Sequence, residues 1–220
     1  MSRQPSVPYV APFAAFILLL ALTRQIRFGW WEFPLWIVVM GPTIWFCSRD
    51  VVDLRSPFWL RSCAMGLLVF AVWIAPDALI SGYRDHWLFQ NSITGSLSST
   101  LDPALRNDRS VLALRAFRAV IIVPVVEELF WRAWLMRWLI DTDFRRVPLG
   151  AWSAPSFWIT AALFAAEHGP YWEVGLAAGI AYNGWMVRTR SLGDCILAHG
   201  VTNAALSIYT VATGKWEFWF

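Results

Sequence analysis

The histidines of this chain number three, and two of them, His168 and His199, stand inside runs of apolar residues. The acids Glu127, Glu128 and Glu167 and the cation Arg132 lie in similar runs. Ionisable groups in such places are expensive and by default mark a functional site. Carboxylates and imidazoles exchange protons, and an Asn amide donates hydrogen bonds without bringing net charge. Spacing sorts these groups. Glu128 and Arg132 are i,i+4 and share a helix face, which suits an internal ion pair. Glu127 lies about 100° around the helix from Glu128, so its carboxylate is left to face a different space. Phe164 and His168 are again i,i+4, as are His199 and Asn203.

Written as patterns, these are E-E-x-x-x-R, F-x-x-x-H and H-x-x-x-N, in that order along the chain. With the flanking text VPVVEELFWRAWL and TRSLGDCILAHGVTN, the chain resembles the CAAX prenyl protease-like family. That family comprises the type II CAAX endopeptidases and bacteriocin-processing membrane peptidases, with a small subgroup associated with exosortase systems. The resemblance covers residues 124–203. It implies an intramembrane peptidase in which Glu127 is the general base and His168 its partner in activating a water. His199 and Asn203 would form the oxyanion hole, Glu128 and Arg132 would be the supporting pair, and Phe164 is a substrate-pocket candidate as well as packing. Ala133 stands where the family often has Gly, and Glu167 stands where a small or apolar residue is expected before the histidine.

Other protease signatures are missing. There is no H-E-x-x-H for a zinc peptidase and no G-x-S-x-G elbow. Ser191-Leu192-Gly193-Asp194 falls one glycine short of G-x-G-D. The spacing requires no cofactor, although two His and two Glu are a conceivable divalent-metal set. The reading from a different class is a membrane scaffold or immunity-like protein that keeps the polar cluster for stability or partner binding.

The elements that must carry these residues follow from composition. Of 220 residues, 58% are apolar and 15% charged, with mean hydropathy +0.49. A soluble domain has about 45–50% and about 25%, so the chain is read as an all-α, polytopic membrane helix bundle. Apolar runs at 10–22, 33–47, 62–80, 111–140, 152–166, 172–187 and 192–212 predict about seven spans, six to eight, in a single domain over 1–220. The motif-bearing helices occupy 111–213. The first run is read as an uncleaved span. Residues 81–110 read as a turn-rich connection with a surface helix, a kink is expected at Pro124, and Gly169-Pro170 reads as a stop.

A net charge of +3 without a basic block argues against nucleic acid. The expected partners are the lipid bilayer and a membrane-embedded or lipid-anchored peptide. The Arg-rich, Lys-poor composition suggests a bacterial inner membrane. With the N-terminus cytoplasmic, Arg3, Arg49, Arg55, Arg61, Arg137, Arg145, Arg146, Arg188 and Arg190 would lie inside. Arg24, Arg27, Arg84, Arg106, Arg109 and Lys215 would lie outside, in keeping with the positive-inside rule. Cys47, Cys63 and Cys195 read as reduced packing residues, His86 as a loop residue, and the Trp excess, Trp216 and Trp219 included, as interfacial anchors.

Overall fold

A computed structural model describes residues 4–26 and 28–219; Arg3 and Arg27 of the charge count lie outside them. Among the described residues the regular structure is helical, and every apolar run carries a helix. These are α1 (Val7–Gln25), α2 (Glu32–Ser48), α3 (Trp59–Leu79), a long compound α4 over residues 109–138, α5 (Ala154–Ala166), α6 (Trp172–Thr189) and α7 (Leu192–Thr213). Of these, α1, α3 and α7 are long and apolar enough to cross a membrane, and α5 is a shorter apolar helix. Large side chains such as Leu18, Val38, Phe46, Leu68 and Ile208 point outward and are exposed. Helices whose outer faces are this apolar are suited to lipid rather than water.

Local signals set the ends. Ser153 caps α5 by accepting from the Ser156 N–H, and Ser191 caps α7 by accepting from the Asp194 N–H. Gly214 ends α7 at φ +69°, in the left-handed region that glycine enters without strain. Gly169, at φ +53°, opens the turn Gly169–Tyr171 between α5 and α6, where Gly169-Pro170 predicted a stop. Residues 81–110 contain the short 3₁₀ turns Tyr83–Asp85 and Pro103–Leu105 instead of a surface helix. The Asp and Pro content of that stretch favours tight turns over helix propagation.

The irregularity expected at Pro124 takes a particular form. Within α4, the α-helical pieces Arg109–Phe117, Val123–Glu128 and Met136–Trp138 are separated by π-helical segments Arg118–Ile122 and Leu129–Leu135. Proline lacks the N–H that a regular ladder needs, and a wider turn on its N-terminal side accommodates that loss. The Glu127-Glu128 pair therefore lies between two irregular segments. Asp108 caps α4, accepting from the Ser110 hydroxyl (2.6 Å) and backbone N–H (2.9 Å) and from the Val111 N–H (3.3 Å). These bonds, that of the Ser110 hydroxyl foremost, hold its carboxyl below the usual carboxylate range.

The core is a set of close helix contacts, chiefly α3 with α7, α5 with α6 and α1 with α2. At Gly66 of α3, a Cβ would collide with the Ala198 carbonyl oxygen and the Val201 side chain of α7. The contact is sealed by Thr202 Oγ1, which donates to the Gly66 carbonyl at 2.8 Å. At the other end of the same pair, the buried Asp194 accepts from Ser62 Oγ (2.6 Å) and the Phe58 N–H (3.1 Å). Asp194 thus ties the start of α7 to the start of α3. Cys47, Cys63 and Cys195 are free thiols. Trp219 departs from an interfacial anchor: it is buried, and its carbonyl accepts from the Arg115 guanidinium at 2.9 Å.

Candidate active site

A cavity of about 230 Å³ lies between α1, α4, α5, α6 and α7. Glu127, Phe164, Glu167, His168, His199 and Asn203 all line it. The three motifs, spread over 77 positions of chain (127 to 203), meet around this one space.

Glu127 is 7% exposed, and its Oε2 has no hydrogen-bond partner. Glu128, its neighbour, is turned the other way and is fully buried. Its Oε1 accepts from Arg132 Nη1 at 3.1 Å and lies 2.9 Å from His199 Nδ1. The i,i+4 pair is therefore the centre of a larger network. Arg132 Nε donates to Asn183 Oδ1 at 3.1 Å, and Asn183 Nδ2 donates to the Phe157 carbonyl at 2.9 Å. The guanidinium also lies 4.4 Å from the Phe164 ring centroid and 5.4 Å from that of Tyr182. A buried cation held by a carboxylate, an amide and two aromatic faces has part of its lost hydration replaced.

Hydrogen bonding fixes the tautomers. A carboxylate only accepts, so His199 Nδ1 carries the proton that meets Glu128. His168 Nδ1 lies 2.6 Å from the Phe164 carbonyl, which also only accepts, so that nitrogen is protonated too. In each neutral ring Nε2 is then a lone pair, and it donates only in the imidazolium form. This amends the simple picture of His199 as an uncharged donor: its N–H is committed to Glu128. Asn203 Nδ2 donates to the Ala119 carbonyl at 2.8 Å, which uses one of its two N–H groups. Glu167 Oε1 accepts from Trp131 Nε1 at 3.0 Å, so the unexpected acid has a partner of its own at the cavity wall.

Phe164 is almost fully buried, packed between Arg132, His168 and Trp131. It is wall and packing at once. His168 is held further by Trp73, 5.3 Å away edge to face, and by the close approach of Gly175. Sequence reasoning missed Asn183, Tyr182 and Thr202. The Tyr182 ring stacks on His199 at 5.0 Å, and its hydroxyl donates to Thr202 Oγ1 at 2.7 Å. Asn183, an uncharged polar residue in the apolar run of α6, was the visible signal. Among the described residues, no three His, Cys, Asp or Glu are grouped closely enough to hold a metal ion.

Comparison with known proteins adds one finding. No curated protein matches the chain, and no solved structure matches it. Three apolar helices and an apolar outer surface describe an integral membrane protein. Residues 109–205, from the start of α4 to just past Asn203 and so including all three motifs, match the family model of the type II CAAX prenyl endopeptidases, Rce1-like.

Proposed function

We propose that the protein is an intramembrane endopeptidase that hydrolyses a membrane-embedded or lipid-anchored peptide, in a bacterial inner membrane. The observation that carries this reading is Glu127, a buried carboxylate with an unpartnered oxygen, facing a cavity shared with two imidazoles and an amide. Glu128 also leaves its Oε2 unpartnered, but its Oε1 is ion-paired with Arg132, as a carboxylate spent on stability would be. Glu127 has no such pair among the described residues.

In this reading a water sits between Glu127 and Nε2 of His168. Glu127 takes its proton as the oxygen adds to the scissile carbonyl carbon. The resulting oxyanion is met by the remaining Asn203 N–H and by His199. His199 donates through Nε2 when that nitrogen carries a proton. Collapse of the intermediate breaks the C–N bond, and the proton held by Glu127 passes to the leaving amine. Arg132 and Asn183 position Glu128, and through it the His199 ring. No cofactor enters this scheme.

The test is mass spectrometry of membrane peptides from cells carrying the wild-type protein or Glu127→Gln. Peptide termini present only with Glu127 support the peptidase. Identical termini, with both proteins folded and equally abundant, would favour the scaffold or immunity-like reading, in which the Glu128–Arg132–His199 network serves stability alone.

A further inference from the structure

A separate recess of about 650 Å³ contains none of the motif residues. It lies among the starts of α1 and α7, the ends of α4 and α6, and the connection between α2 and α3. The three helices long and apolar enough to span a membrane, α1, α3 and α7, all begin beside it. That places the recess at the level of lipid headgroups.

Arg137 lines the recess and is buried, and its guanidinium donates to the backbone carbonyls of Ala133, Phe144 and Val147. These acceptors are neutral, and Nη1 and Nη2 each keep a second N–H. Asp53, the acid that lines the recess, is spent on Arg55 at 2.7 Å. Arg190 supplies an independent observation. It ends α6 at φ +52°, the one left-handed residue other than glycine among the described residues. Glycine would meet that backbone requirement without strain, so the turn itself does not call for an arginine. The Arg190 stem is accommodated by Gly150, where a Cβ would come 2.9 Å from Arg190 Cγ. Its guanidinium makes no ion pair or hydrogen bond among the described residues. Two guanidiniums here therefore lack a counter-ion. Beside them, where the connection enters α3, Leu54, Phe58, Trp59 and Leu60 are exposed. Uncompensated guanidiniums next to an apolar edge fit an amphiphile whose charge is a phosphate. A free phosphate would leave the edge uncovered.

We infer that this recess binds an anionic phospholipid, its phosphate met by Arg137 and Arg190 and its acyl chains lying along Leu54 and Trp59. Bound there, the lipid ties the end of α4 to the turn between α6 and α7. The site does not depend on the peptidase reading.

The test is titration of the full-length, delipidated protein in detergent with dioleoyl phosphatidylglycerol and with dioleoyl phosphatidylcholine, whose choline cation offsets its phosphate. Binding is read by native mass spectrometry and by the shift in Tm. Phosphatidylglycerol is expected to bind at least about tenfold more tightly, the worth of one charge-assisted hydrogen bond, and to raise Tm. Arg190→Gly, which suits the left-handed backbone, should bring the two lipids within about threefold and leave the lipid-free Tm unchanged or higher. Arg190→Gln should lose the preference in the same way, and Arg190→Lys should keep part of it. Arg145→Gln with Arg146→Gln, at exposed positions outside the recess, should leave the preference intact. Equal binding of the two lipids, or a preference that survives both Arg190→Gly and Arg190→Gln, overturns the proposal. An equal loss on changing Arg145 and Arg146 also overturns it, because general surface charge would then be the cause. Without acyl chains to bury, sn-glycerol 3-phosphate should bind at least about tenfold more weakly than phosphatidylglycerol. Binding as tight as that of the lipid would give the recess to a free phosphate and refute the lipid site.

Discussion

His199 Nδ1 and Glu128 Oε1 lie 2.9 Å apart, joining the last long helix to the middle of α4 inside the bundle. The same oxygen accepts from Arg132, so one buried carboxylate meets two proton-bearing partners. The bond fixes the His199 ring with Nε2 away from Glu128 and makes the supporting pair part of the site's geometry. Loss of Glu128 should therefore affect both stability and turnover.

Removing one side of the Glu128–Arg132 pair strands a buried charge, at a cost on the order of 3–5 kcal/mol. Arg132→Ala and Glu128→Ala should each lower thermal stability, and the double variant should cost less than the sum of the two. A double-mutant cycle from thermal or denaturant unfolding in detergent measures this. Additive effects would contradict the contact.

Asn203 tests the oxyanion hole. Asn203→Ala should cut kcat about 10²–10³-fold with little change in KM, since the oxyanion exists only in the transition state. Asn203→Asp should be at least as damaging, because its charge repels the developing oxyanion. Substrate turnover by the folded variants decides it; a change confined to KM would assign Asn203 to ground-state binding.

Gly175 tests how tightly His168 is positioned. A Cβ at Gly175 would lie 3.1 Å from His168 Cβ and 3.3 Å from its Nδ1. Gly175→Ala should displace the ring and reduce kcat about tenfold or more, since a small misplacement is costly in a preorganised site. Thermal stability should change by about 1–3 kcal/mol, the usual cost of overpacking. Unchanged kcat would show that His168 tolerates movement.

Asp108 gives a pH signature outside the site. Its folded pKa is lowered by the Ser110 hydroxyl and backbone N–H bonds. Its contribution is therefore complete above the unfolded value, about 3.9, and is lost as pH falls through the lower folded value. Asp108→Ala should lower Tm at neutral pH, with the gap to wild type closing as pH falls through the lowered folded value. Melting curves across this range check it, and a gap independent of pH would show that the cap acts without its charge.

What the sequence by itself determined was local and periodic. Apolar runs placed seven helices, because hydropathy over a helix length is a property of contiguous residues. The i,i+4 spacing paired Glu128 with Arg132 and separated Glu127 from both, a pairing that survives the π-helical segment Leu129–Leu135 in which Arg132 lies. The order of the three motifs carried the resemblance to the family whose model matches residues 109–205. Tertiary structure decided the rest. Nothing local says that His199 reaches Glu128 rather than turning to Asn203, since those partners lie 71 positions apart. The same holds for Asn183 on Arg132 and for Trp219, whose aromatic character suggested an interface but whose carbonyl is held inside by Arg115. Such contacts depend on which faces the packed helices present to one another, and a one-dimensional pattern does not contain that choice.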